Sequence, residues 1–150
     1  MASSLACDLS APVAAIAPVG GVRLPTPCKS GRPVSVIAFH GTGDPVNAYD
    51  GGAKPEWSYG VESAAAKWAS HDGCAPAART SHPAQGVQLA QYGGCTGGAA
   101  VELYTIEGMG HEWPGGPPQS AARVAHLGTQ SSAVDANEVM WAFFEAHRLP

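Results

Sequence analysis

Val34-Ser35-Val36-Ile37-Ala38-Phe39, running straight into His40-Gly41-Thr42-Gly43-Asp44-Pro45-Val46, is the stretch on which the fold turns. Its first half lacks the apolar–polar alternation of a half-exposed strand, so it reads as a strand buried on both faces, as in a parallel sheet. A similar run, Ala14-Ala15-Ile16-Ala17-Pro18-Val19, precedes it and is stopped by Gly20-Gly21. A third, Ala100-Val101-Glu102-Leu103-Tyr104-Thr105-Ile106, follows it. The third alternates in part, which puts it nearer an edge of the sheet.

Helices fall between and around these strands. Met1 to Leu9 reads as the tail of a helix, and Val22 to Pro33 as a proline-rich connection. From about Trp57 to Ser70, Val61, Ala64, Ala65 and Trp68 keep the spacing of one helix face, and Gly73 suits a left-handed cap. Residues Cys74 to Gly98 are turn-rich and hold a short hairpin ending near Tyr92; Trp113 to Gln119 is a loop. Ser132-Ala133-Val134-Asp135 offers a capping box to a last helix, whose inward face carries Val139, Met140, Phe143, Phe144 and His147. Trp57, Trp68 and Trp141 are assigned to the core. The alternation predicts an α/β fold of about three parallel strands with flanking helices.

With 150 residues, 45% of them apolar, the chain can bury one real core. A net charge of −4 provides no basic footprint, so nucleic acid is not an expected partner. No apolar run reaches the roughly 20 residues of a membrane span. The four cysteines, Cys7, Cys28, Cys74 and Cys95, form no Cys-x-x-Cys pair, which argues against zinc and against a thioredoxin-like site. The simplest pairing is Cys7 with Cys28 and Cys74 with Cys95; four buried thiols are the alternative. Bridges would place the mature protein outside the cytoplasm.

The loops after the second and third strands carry the chemistry. Asp44 follows one, and His111 follows the other within Glu107-Gly108-Met109-Gly110-His111-Glu112-Trp113-Pro114-Gly115-Gly116. Acyl transfer by a serine enzyme needs a hydroxyl, an imidazole to take its proton, and a carboxylate to hold the imidazole's tautomer. Parallel strands deliver such groups to one rim, at their carboxyl ends. The order acid then histidine fits the later part of a Ser…Asp…His triad, yet Gly-x-Ser-x-Gly occurs nowhere in the chain. Ser3 and Ser4 lie within a helix and cannot stand in. Trp113 is a candidate wall of the substrate pocket, and a packing role is the alternative. His40 is expected to bond the loop backbone, and Tyr49 and Tyr59 border the acid loop. Glu107 and Glu112 flank His111, but without His-Glu-x-x-His no metal is expected. His71, His82, His126 and His147 read as solvated, and no cofactor is called for.

Four stretches carry a family likeness: Met1-Ala2-Ser3-Ser4-Leu5-Ala6-Cys7, Ala15-Ile16-Ala17-Pro18-Val19, Val36 to Val46, and Tyr104 to Gly116. Together they resemble the carboxyl-terminal part of secreted polyhydroxybutyrate depolymerase/feruloyl esterase-like α/β-hydrolases. The resemblance implies a single partial domain over 1–150, with Asp44 as triad acid and His111 as general base. It implies a nucleophilic serine within a turn or two before Met1, and an extracellular protein. The implied substrates are polyesters or feruloyl and acetyl esters of plant polysaccharide. Taken alone, the chain is expected to be catalytically dead and poorly soluble. A non-catalytic relic that binds polysaccharide or polyester is the rival reading.

Overall fold

The computed structural model describes residues 1–149. In chain order the elements are α1 (Ala2–Asp8), β1 (Ala15–Ile16), β2 (Ser35–Gly41), α2 (Val61–His71), β3 (Arg79–Ala84), β4 (Val87–Tyr92), β5 (Val101–Ile106), α3 (Ala121–Leu127) and α4 (Ala136–Ala146). The strands form one sheet in the order β1-β2-β5-β4-β3. β1, β2 and β5 run parallel, whereas β4 pairs antiparallel with β5 and β3 antiparallel with β4.

This corrects the expected fold class. The sheet is mixed and five-stranded, not a three-strand parallel portion of an α/β-hydrolase. The hairpin foreseen near Tyr92 is the source of the difference, because both of its arms join the sheet. β3 reads poorly as a strand because Arg79-Thr80-Ser81-His82-Pro83-Ala84 is largely exposed, with an irregular register between Ser81 and Ala84. Proline and polar side chains belong to an edge strand of this sort. With β4 against it, β5 is interior rather than near an edge.

β2 is buried along its whole length because successive side chains enter different cores. Val36 and Ala38 pack with Val101 and Leu103 of β5 and with Val61, Ala64, Ala65 and Trp68 of α2. Ile37 and Phe39 pack with Tyr104 and Ile106, and with Ala136, Met140 and Phe143 of α4. Trp68 is fully buried and donates its indole N–H to the Arg23 carbonyl at 3.0 Å. Truncating so large an anchor costs about 3–5 kcal/mol.

Several local expectations need adjusting. β1 is shorter than Ala14–Val19 because Pro18 has no N–H to give a ladder. The chain nevertheless stays beside β2: the Phe39 amide donates to Pro18 O, and the Gly20 amide to Phe39 O. α2 begins at Val61, and Trp57 is buried in a separate short turn, Pro55–Trp57. The last helix is capped by Asp135, which accepts from the Asn137 and Glu138 amides, rather than by Ser132. Trp141 is 65% exposed, not core, since it lies one residue round the helix from inward-facing Met140. α3 was not foreseen; Ser120 caps it by accepting from the Arg123 amide.

Both cysteine pairings occur as expected, Cys7–Cys28 and Cys74–Cys95. The first ties α1 to the connection before β2, and the second ties the end of α2 to the approach to β5. Among the described residues no helix is long and apolar enough to cross a membrane.

Candidate active site

Because β2 and β5 are neighbouring parallel strands, with Gly41 opposite Ile106, the loops that follow them leave the sheet side by side. Backbone bonds zip the two loops together. The Thr42 amide donates to Ile106 O and the Gly43 amide to Met109 O, each at 3.0 Å. The Gly108 amide donates to Thr42 Oγ1 at 2.9 Å. The fit is close: a Cβ on Gly41 would collide with the Met109 backbone, and one on Gly110 with the Leu127 carbonyl and Gly128.

The zipped loops bring Asp44 and His111 together. Asp44 Oδ2 accepts from His111 Nδ1 at 2.8 Å. Oδ1 accepts from the backbone amides of Val46 and Asn47, both at 2.8 Å, an Asx-type turn closed by the acid itself. His40 Nε2 lies 3.3 Å from Oδ2. Burial, the largest single influence, pushes the Asp44 carboxyl up. Hydrogen bonds from His40, the Asn47 amide, His111 and the Val46 amide together outweigh it and hold the group down at about 2. Asp44 is therefore a carboxylate at neutral pH.

Donation from Nδ1 fixes the tautomer of His111 and leaves Nε2 with a free lone pair. The ring is 31% exposed. It borders an open groove of about 270 Å³ lined by Val19, Gly20, His111, Glu112, Trp113 and Arg123. Gly20, at φ +62°, backs the imidazole; a Cβ there would sit 2.9 Å from both Cε1 and Nδ1. The backbone of the histidine is anchored separately, with the Gly110 amide on Thr129 O at 2.7 Å and the His111 amide on Leu127 O at 2.5 Å.

The end of α3 and the residues just after it supply that anchor. Glu112, buried beside His111, is gripped by Arg123 of α3 through Nε at 2.7 Å and Nη2 at 3.2 Å. Its carboxylate is thus committed to an ion pair. Trp113 is 41% exposed, lines the groove, and donates its indole N–H to Asn137 Oδ1 of α4 at 3.2 Å.

Sequence reasoning missed Arg123, Gly20 and the contact of His40 with Asp44. Ser120 ahead of Ala121-Ala122-Arg123 was a usable helix-start signal. Two histidines read as solvated have partners: His71 Nε2 is 2.6 Å from Ser30 Oγ, and His147 Nδ1 is 2.7 Å from Phe143 O. Tyr49 is turned inward, with its hydroxyl 2.7 Å from Thr105 Oγ1.

No protein-family model matches the chain. The chain is similar to feruloyl esterase B of Piromyces equi, with 32% identity over 126 residues that take in 74% of this chain and 22% of that protein. It spans about a fifth of the length of that relative, and over most of its own length it is related to an esterase.

Proposed function

We propose that this chain carries the acid and base of a serine-type carboxylic-ester hydrolase. The observation that carries the reading is the 2.8 Å bond from His111 Nδ1 to Asp44 Oδ2, made at adjacent parallel strand ends beside an open groove. In the reaction, a hydroxyl attacks the ester carbonyl as His111 Nε2 takes its proton. Asp44 steadies the imidazolium, and His111 returns the proton to the departing alcohol. The hydroxyl is not in any Gly-x-Ser-x-Gly turn of these 150 residues. We assign it to a further segment that seats at the groove, with 1–150 as one unit of a larger hydrolase.

The likeness to a feruloyl esterase supports an aromatic-acid ester of plant polysaccharide as substrate. A polyester of hydroxy acids is the other candidate raised by the sequence. Two disulfides support an oxidising, extracellular setting. The test is to assay methyl ferulate with the chain alone and with the chain expressed together with in-frame upstream coding sequence. Background rates are expected from the first and ferulate release from the second. His111→Ala should then cut turnover by about 10⁴- to 10⁶-fold with the fold intact. Full activity in that variant would remove His111 from the reaction.

A second reading, adhesion to polysaccharide without hydrolysis, has one observation in its favour. Trp113 and Trp141 are both exposed and flank Asn137, which holds the Trp113 indole and lies one helical turn from Trp141. Retention on insoluble xylan without any ester cleavage in either preparation would favour it.

A further inference from the structure

His40 closes the most buried strand of the sheet, and its side chain is wholly inaccessible. Its ring stacks on Trp57 at 5.7 Å and meets the edge of Tyr49 at 6.0 Å. Among the described residues Nδ1 has no hydrogen-bond partner, a costly state for a buried polar atom. An apolar residue would fill the same space without that cost, so the imidazole needs a compensating role. Nε2 provides it. The atom lies 2.8 Å from the Asn47 carbonyl and 3.3 Å from Asp44 Oδ2. Both neighbours are acceptors, so the proton sits on Nε2; the Asn47 carbonyl takes it, and Asp44 Oδ2 faces the same N–H from the longer distance.

Asn47 links the same two groups a second time, because its amide donates to Asp44 Oδ1. An ionised carboxylate offers about four lone-pair positions. Here the Val46 and Asn47 amides take those on Oδ1, His111 takes one on Oδ2, and His40 Nε2 stands 3.3 Å from the same oxygen. With His40 standing at one side of Oδ2, the 2.8 Å bond from His111 Nδ1 approaches from the other. We propose that His40 is a positioning residue for the Asp44 carboxylate, orienting it toward His111 while never touching the substrate. This rests on the reading of Asp44 and His111 as the hydrolytic pair.

The ionisable groups against Asp44 are His40 from β2 and His111 from the loop after β5. Tyr49 lies beyond His40. The test therefore reads Asp44 and His40 directly, by carboxyl ¹³C and imidazole ¹⁵N NMR of the chain between pH 1.5 and 6. In the unaltered protein, the His40 Nε2 signal is expected to move with the Asp44 titration. A His40 signal that stays flat through that titration overturns the proposal, and this measurement needs no variant. In His40→Phe the Asp44 midpoint should rise by about one pH unit, the tenfold change that losing one charge-assisted bond produces. His40→Gln places an amide N–H near the position of Nε2 and should recover at least half of that rise. Equal midpoints in all three proteins also overturn it. Neither result depends on turnover: a chain that never cleaves an ester can still satisfy this test, and an active enzyme can fail it.

Discussion

Replacing Asp44 by Asn keeps the shape of the side chain and removes its charge, so it isolates what the buried carboxylate contributes to the fold. The carboxyl is brought from an ordinary value of 3.8 to about 2 by its four donors. At about 1.4 kcal/mol per pH unit, that difference stabilises the native state by about 2.5 kcal/mol. Because the folded-state value is the lower one, the contribution is fully present above about pH 4 and is lost as pH falls through 2. Asn also turns an NH₂ toward N–H donors, a cost that does not vary with pH. Urea unfolding followed by the fluorescence of buried Trp57 and Trp68 measures both parts. The gap between wild type and Asp44→Asn should narrow by about 2 kcal/mol from pH 6 to pH 2. A gap that stays constant over that range would refute the claim that the charge, rather than the shape, of Asp44 is what the loop holds.

Gly20→Ala should displace the imidazole and add the strain of a left-handed alanine, about 1–2 kcal/mol. Its signature is loss of the hydrogen-bonded His111 Nδ1 proton signal, and an unchanged signal would contradict the close packing of Gly20 on the ring. Arg123→Met leaves Glu112 buried without its cation, and amide exchange across residues 120–128 should quicken by roughly tenfold. Unchanged exchange there would mean that the ion pair does not anchor α3. Trp113→Ala and Trp141→Ala should each weaken retention on xylan about fivefold if the exposed indoles form a stacking surface. Retention unaffected by either change would dispose of the adhesive reading.

The parts of the molecule that were legible in the sequence are those set by short-range pattern. The run ending at Phe39 announces a doubly buried strand because both of its faces meet apolar partners. The acid and histidine loops were found because each follows such a run within a few residues. The rest depends on partners remote in sequence. β3 is polar because it stands at an edge, and nothing in Arg79 to Ala84 tells that edge strand from a loop. β5 gains its second neighbour from a hairpin, and its partial alternation gives no hint of that. Trp141 misled because an indole on an amphipathic helix suggests the core, and the angle separating it from Met140 decides otherwise. His40 meets Asp44 only because the acid loop folds back over the strand end it has just left, a contact decided by turn geometry.

Where the acid loop, the histidine loop and the segment after α3 meet, main chain lies against main chain: Gly41 on Met109, Gly110 on Leu127 and Gly128, and Gly128 toward the Gly43 carbonyl. Compensation between mutations normally works by trimming one side chain to admit another. At this junction the nearest atoms are backbone atoms, which no side-chain substitution removes. An added methyl group at Gly41 or Gly110 therefore meets backbone that trimming a neighbouring side chain does not move, and the separation of the acid and histidine loops is set by main-chain contact rather than tuned residue by residue.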